Sequence, residues 1–532
     1  MSVELVLAAV AAADLCLKYG KKLMSAYRDF KGASEAVQER LLIVEAMWSK
    51  TASQIEFARV VFKVLEEEHC GVYLRILETL HCKFSLAISK IESVTKTSAG
   101  SGVKKLKYVL SRDDIDDAVA QLQTWHTIFD PTWFLMLRID NKLIDTELLK
   151  SPGIADAPIT PSRRPSYVSS MHSTLVTARS IRDSLKGEGT AEPHVSLAED
   201  GLDWSTTQAI EYSTTSLVRK TGSTKVFAID TIDCTPKYDL QPLRTAVDSM
   251  AKKLKKNDIN YFGLLTCKGV VKRKDSKTKR LISMNLIFQL PIPETGNVPV
   301  SLRSHLLKER TFSLSRVLDI ANQLARAVIF IHTFDFVHKN IRPETILVFP
   351  DHSTKSELGS AFLVGFDSFR HVNLQTLKIG DKAWERNLYR HPSRQGIQAQ
   401  EAYIMQHDVY SLGVCLLELG LWESFVDYQT QTDGSDQEKL PGAGLGIGLE
   451  GFAFESNDSG TSKIKDRLVE LAKTRLPIRM GDRYAAVVVT CLTCLDPDNK
   501  EFGGEEMQDE DGILVGVRFI ERVLLKLGDI VL

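Results

Sequence analysis

The spacing of apolar residues divides the 532-residue chain into two regions of different periodicity. Val37, Leu41, Val44, Trp48, Ile55, Ala58 and Phe62 recur at the intervals that line one face of a helix. A second series runs Leu77, Leu80, Phe84, Ala87, Ile91, Val94. A third begins at Ile115, Val119 and Leu122 and continues past Pro131 through Trp133, Leu137 and Ile144. With an opening helix over Val3 to Leu17, these predict an antiparallel bundle of four or more helices across residues 1–150. Ser151 to Ser169 is rich in Pro and Ser with two arginines and reads as a mobile or phosphorylatable linker within 151–200, with Tyr167, Ser166 and Ser169 as candidates for modification beside the plainer reading of ordinary linker residues. Met171 to Leu185 there reads as a brace helix between domains. Beyond residue 201, strands are predicted at Lys225 to Ile232, Leu264 to Lys272 and Leu281 to Phe288. A helix on Val317, Ala321, Leu324, Val328 and Ile331 would deliver Phe336, Val337 and His338 to a loop.

Charge and cysteine usage narrow the function classes. A formal net charge of -1 gives no global attraction to nucleic acid or to an acidic membrane. The basic run Lys272 to Arg280 lacks interleaved aromatics and reads as a solvated hairpin turn, so no nucleic-acid partner is expected. Eight scattered cysteines without a secretory signal fit a reducing cytoplasm. Cys491 and Cys494 form a CxxC, but helical periodicity makes them core residues rather than a metal or redox pair. Pro441 to Gly451 is glycine-rich, follows no strand signal and reads as a loop; Glu501 to Gly512 reads as an acidic solvated loop.

The chemistry concentrates in His338 to Leu347, HKNIRPETIL. It resembles the protein-kinase catalytic loop H-R-D-L-x-x-x-N, in which Asp receives the substrate proton and Asn holds magnesium. Asn340 stands at the Asp position and Thr345 at the Asn position. A neutral amide does not take up a proton near pH 7, and a threonine hydroxyl is a poor replacement for an amide oxygen on a hard cation. Leu363 to Asp367, LVGFD, lies where kinases have D-F-G; Tyr389 to Pro392 resembles the end of an activation segment, and Asp408 to Glu418, DVYSLGVCLLE, the deep C-lobe helix. The resemblance implies a bilobal α+β kinase-like fold over 201–532, with an N-lobe at about 201–290 and a C-lobe at about 291–532. Within it, Gly365 takes the place of the metal-binding Asp, with Asp367 two positions on. Asp230 in FAID replaces the phosphate-pairing lysine of V-A-I-K, Asp248 lies near the place of that lysine's partner glutamate, and Ala209 to Lys225 holds a single glycine, Gly222, where a phosphate cradle is expected. His338, Asn340, Thr345, Asp230, Gly365 and Asp367 are thus degenerate kinase positions. No catalytic residue, metal or cofactor is expected, with ATP and magnesium as the alternative.

Val3 to Leu17 carries two readings. Its apolar run, Leu5 to Ala13, is well short of the roughly 20 residues that span a bilayer, and Glu4 in front argues against a signal peptide. It is either the buried first helix of the bundle or a helix released to a membrane, with Leu5, Leu7 and Val10 entering and Lys18, Lys21 and Lys22 at the headgroups. The opening MSVELVLAAVAAADLCLKYG and the later KKLKYVL before RDDIDDAVAQL resemble the HeLo domains of fungal cell-death and incompatibility proteins. Joined to a kinase-like domain, the organisation is similar to the mixed-lineage kinase-like necroptosis architecture. That resemblance implies a pseudokinase regulating a membrane-active or oligomerising bundle, cytoplasmic until recruited to a membrane, with protein partners through the kinase-like domain and self-association through the bundle. Two alternatives stand beside it: a divergent but active kinase using Asp367 or Asp230, and a plain protein-binding scaffold.

Overall fold

The computed structural model describes residues 2–28, 35–96, 125, 129–150, 168–186, 195–234, 240–255, 262–291, 298–308, 310–351, 356–366, 370–371, 383–395, 403–429, 438–452, 459–502 and 512–530. The chain forms two compact units, Met1–Glu188 and Gly189–Leu532.

The first unit is all helical. Helices α1 (Val3–Arg28), α2 (Glu35–Val61) and α3 (Glu67–Lys96) are long, and α1 packs on both others. The small residues of α1 explain the close approach: Ala9, Ala12, Ala13 and Cys16 are buried, and the Cys16 thiol donates to Leu77 O at 3.1 Å. Leu7, by contrast, is 63% exposed, as are Lys18, Lys21 and Lys22 in large part, with Lys22 Nζ 2.8 Å from Glu92. Among the described residues no helix is long and apolar enough to cross a membrane. The third apolar series is not one helix. Ile115, Val119 and Leu122 lie outside the described residues; residues 129–135 are helical, a 3-10 turn follows at Met136–Arg138, and α4 (Lys142–Leu149) restarts under Asn141, whose Oδ1 accepts from Leu143 N–H at 2.9 Å. Trp133, Leu137 and Ile144 are nonetheless fully buried, so the spacing marked burial across two helices and a turn. Inside this core Lys50 Nζ meets Asp130 Oδ2 at 2.6 Å, and Gln54 donates to Asp130 Oδ1 at 2.9 Å. Helix α5 (Val168–Lys186) packs on α2 and α4, where Arg182 donates to Asp145 and to the carbonyls of Leu137 and Ile139. It belongs to the first unit, not to a connector.

The second unit has two lobes. A six-stranded sheet is ordered β1 (Ser196–Leu197), β5 (Thr266–Lys274), β6 (Leu281–Gln289), β4 (Val226–Asp233), β3 (Ser216–Lys220), β2 (Leu202–Ala209). The pairing is antiparallel except for β1, which runs parallel to β5. The three predicted strands fall within two residues of their places, a margin typical of element ends. Helix α6 (Leu240–Lys255) packs against β5, and its buried Lys253 donates to Phe334 O at 2.7 Å, tying the helix to the larger lobe. That lobe is mainly helical: α7 (Leu302–Leu306), α8 (Leu314–Thr333), α9 (Trp384–Asn387), α10 (Met405–Leu421), α11 (Ser459–Thr474), α12 (Leu476–Leu492), α13 (Ile513–Phe519) and α14 (Leu525–Gly528). Helix α10 is buried along its whole length, as its near-continuous apolar sequence requires. Small sheets carry the loop that matters most, with β8 (Phe336–Val337) before it and β9 (Ile346–Asp351) paired to β10 (Ser356–Leu363) after it. Remaining short strands are β7 (Val300–Ser301), β11 (Arg370–His371), β12 (Val426–Gln429) and β13 (Glu438–Pro441). A five-strand antiparallel sheet with one packed helix, joined to a helical lobe through these loops, is a protein-kinase-like fold.

Candidate functional site

The loop His338–Thr345 is anchored from below by Asp408, in the first turn of α10. Its carboxylate accepts from His338 N–H at 2.7 Å, Lys339 N–H at 2.9 Å, Tyr403 OH at 2.8 Å and His332 Nε2 at 3.2 Å. Burial alone would raise the Asp408 pKa, but His332 and His338 bring it below the usual carboxylate range. Lys339 sits at φ +66°, a left-handed conformation that these bonds compensate. His338 Nε2 donates to Val364 O at 3.0 Å while Nδ1 accepts from Asn340 N–H at 3.3 Å, which fixes the tautomer. Its ring lies 4.8 Å from that of Phe366, which in turn lies 5.9 Å from Phe288 on β6.

The altered positions are engaged in framework contacts. Asn340 Nδ2 donates to Gly365 O at 3.2 Å and its Oδ1 accepts from Arg342 Nε at 2.9 Å. Thr345, fully buried, gives its hydroxyl to the carbonyls of Asn340 and Arg342. Its methyl fills the space beside Gly365, where a built Cβ would lie 2.4 Å from Thr345 Cγ2; Gly365 also has φ +81°. The residue in the place of the magnesium-binding Asp is therefore one that only glycine suits. Asp367 lies outside the described residues. Asp248 on α6 pairs with Lys272 on β5 at 2.8 Å.

Asp230 decides the character of the cleft. It is 1% exposed on β4, and its Oδ2 accepts from the backbone N–H of Gly365 at 2.7 Å and of Phe366 at 3.1 Å. Oδ1 accepts from Thr215 Oγ1 at 2.5 Å. Where a kinase lysine reaches toward ATP phosphates, this carboxylate fastens the sheet directly to the Gly365–Phe366 backbone. A carboxylate satisfied by three donors is a stable resident of that position and a poor neighbour for a triphosphate.

The loop between β2 and β3, Ile210–Thr215, bonds to the larger lobe. Ser213 Oγ donates to Glu344 O at 2.9 Å, Glu211 O accepts from Ser301 Oγ at 2.7 Å, and Glu211 Oε2 accepts from Ser304 Oγ at 3.2 Å. The Tyr212 ring packs 4.5 Å from that of Tyr428 on β12. Thr214 Oγ1 lies 3.1 Å from the position a Gly365 Cβ would take. The loop that covers phosphates in kinases here rests on the catalytic loop itself. Hydrophobic periodicity carries no trace of this; the only signal is the hydroxyl run Tyr212 to Ser216 where glycines are expected.

Beneath the loop lies a buried charge network that the sequence reading also missed. Arg303, wholly buried on α7, donates to Glu344 Oε1 at 3.0 Å, Glu418 Oε1 at 2.7 Å and Ser424 Oγ at 2.6 Å, and to Tyr389 OH. Tyr389 donates onward to Glu418 Oε2 at 2.6 Å, and Tyr428 to Glu344 Oε1 at 2.9 Å. Burial opposes ionisation of Glu344, yet Arg303 and Arg342 hold it down to about 2. For Glu418 burial prevails over Arg303, and its pKa rises.

Two other sequence features resolve as structure. Cys491 and Cys494 are buried, and burial pushes Cys491 up to about 12, an unreactive core thiol. Pro441 to Gly451 does follow a strand, β13, contrary to the sequence reading, because that strand is short and polar; it leads into 3-10 turns rather than a phosphate-binding helix. No cluster of three or more metal-ligating side chains occurs among the described residues.

The chain is 25% identical over 301 residues to the mitosis inhibitor protein kinase mik1 of Schizosaccharomyces pombe, covering 52% of this chain and 47% of that protein. It is 26% identical over 158 residues to a probable serine/threonine-protein kinase of Clostridium acetobutylicum, covering 28% of this chain and 22% of that protein. The chain thus spans about half, or less, of the length of the curated relatives it matches. Among solved structures, a chain of the Chaetomium thermophilum CAK complex bound to ATP-gamma-S overlaps 61% of this chain and 91% of its own, at 15% identity and a TM-score of 0.35. No protein-family model matches. Sequence similarity to two kinases and the lobe architecture together make the second unit a protein-kinase-like domain.

Proposed function

We propose that the kinase-like domain is catalytically silent and acts as a regulatory module for the helical bundle. The observation that carries this is Asp230 bonded to the Gly365 and Phe366 amides, in the place where phosphoryl transfer needs a cation. Asn340 has its amide engaged on both sides, so no base stands at the catalytic-loop position. The bundle is the natural effector in this reading. Its α1 keeps an outward Leu7 above exposed Lys18 and Lys21, which supports contact with a membrane surface or a second copy, while Leu5 and Val10 are only half-exposed. The HeLo resemblance and a cell-death role belong to the same proposal, as do a cytoplasmic resting location and protein partners.

The similarity to named kinases favours the competing reading of a divergent but active enzyme. Incubation of the full chain with γ-labelled ATP and magnesium or manganese separates the two. The proposal expects no label on the protein or on a generic protein substrate. Label that disappears on Asp367→Ala would establish the active kinase.

A further inference from the structure

We propose that Ser213 is a phosphorylation site whose modification withdraws the loop Ile210–Thr215 from the cleft; this deepens, and rests on, the reading of a self-closed, silent domain. Beyond the buried Ile210 at its start and the Tyr212 ring, the loop is held by polar anchors. Ser213 Oγ donates to Glu344 O and accepts from Thr215 N–H at 3.2 Å, so one hydroxyl serves both the contact to the catalytic loop and the turn itself. Thr215 and Asp230 continue the chain of bonds to Gly365 and Phe366. No apolar side chain of Tyr212 to Ser216 reinforces them except the Tyr212 ring against Tyr428. Tyr212 has φ +49°, a conformation that costs a non-glycine residue energy and is relieved when the loop leaves.

The hydroxyl is suited to a charge switch because its own proton goes to a backbone carbonyl, Glu344 O, an acceptor that a phosphate ester cannot serve. The modification forms a bond from Ser213 Oγ to the γ-phosphorus of ATP held by a separate protein kinase. The bond from that phosphorus to the bridging oxygen breaks, ADP leaves, and the hydroxyl proton passes to the donor kinase's carboxylate. The resulting group carries nearly two negative charges and no proton to donate. Glu344 O then loses its donor, and the phosphate is set against that carbonyl, with the Asp230 carboxylate one hydrogen-bonded residue away through Thr215. Like-charge repulsion and desolvation both favour an open loop. Ser213 is half-buried and Glu211 exposed, so the turn lies at the protein surface where a donor enzyme reaches it.

The test is amide hydrogen exchange on the full chain for Ser213→Ala, Ser213→Asp and wild type. Ser213→Ala removes the bond without adding charge; Ser213→Asp adds the charge. The expected result is about tenfold faster exchange in Ser213→Asp than in Ser213→Ala, over 210–216 and at Gly365 and Phe366, with β6 still protected. Equal exchange in the two variants overturns the switch. If Ser213→Asp also exposes β6 and is therefore unfolded, Thr214→Asp takes its place; Thr214 Oγ1 makes no hydrogen bond, and the same comparison is read against Thr214→Ala. A separate outcome marks failure of the underlying reading: wild-type protein whose 210–216 and 363–366 exchange slows on adding ATP with magnesium has a nucleotide site, whatever the variants do.

Discussion

Replacing Arg303 by Met tests whether the buried charge network holds the kinase-like unit together. Met fills most of the aliphatic volume and removes the cation that serves Glu344, Glu418, Ser424 and Tyr389. Arg342 Nη1, 3.6 Å from Glu344 Oε2, compensates only in part. Breaking a buried pair from one side costs about 3–5 kcal/mol. The depressed pKa of Glu344, to which Arg303 and Arg342 both contribute, gives an upper figure. Held down to about 2 in the folded protein, against about 4.3 unfolded, it accounts for roughly 3 kcal/mol at pH 7. Glu418, whose pKa already rises, takes up a proton in the variant and keeps the loss near the lower end. The assay is urea unfolding at pH 7, with the amides of α10 followed by hydrogen exchange so that this unit is read apart from the bundle. The depressed Glu344 contributes stability above its unfolded pKa and loses it as pH falls toward 2, so the gap between wild type and variant persists to about pH 5 and narrows below about 4.3. Adding Glu344→Gln and Glu418→Gln to the variant recovers at least half of the loss. A cost under about 1 kcal/mol, the scale of an exposed pair, would refute the reasoning.

Three further outcomes follow from the same geometry. In the bundle, Lys50→Met leaves the 2%-exposed Asp130 without its cation, with Gln54 still donating to it, and costs about 3–5 kcal/mol, whereas Lys50→Met with Asp130→Leu costs much less; urea unfolding of both variants checks this. Burial, with Lys465 next for His391 and Arg394 next for His407, holds both imidazoles down to about 3. Unfolded histidine titrates near about 6.5, so the unfolded state gains protons that the folded state refuses, and stability is lost as pH falls below that value. The melting temperature should drop between pH 7 and pH 5, and by less in His407→Gln. Gly365→Ala meets both the left-handed backbone and the Thr345 methyl, and should lower stability by more than about 1 kcal/mol in thermal melts, with Thr345→Ser restoring part.

The fold was largely legible because its helices follow a period near 3.6 and its central strands are short apolar runs. Strands β4, β5 and β6 lie within two residues of their predicted places, and helix α8 lies where the Val317–Ile331 face puts it. The third bundle series failed at Asn141, since a cap restarts a helix without disturbing the apolar spacing. At the site, the identities of Asn340, Thr345 and Asp230 were visible, but only the sign of the Asp230 charge could be read, not its bond to amides 135 and 136 residues away. The Ile210–Thr215 loop and Arg303 were silent for the same reason: their partners are distant in sequence, and a buried arginine in LRSHL looks like any surface one.

Thermal-shift titration of the full chain with ATP, with and without magnesium, tests the closed cleft most directly. A ligand binding only the folded state at about 100 times its dissociation constant adds roughly 2.7 kcal/mol. The account predicts no shift of the kinase-like unit's transition at millimolar nucleotide in either condition. A magnesium-dependent rise of several degrees would contradict it and place ATP in the cleft beside Asp230.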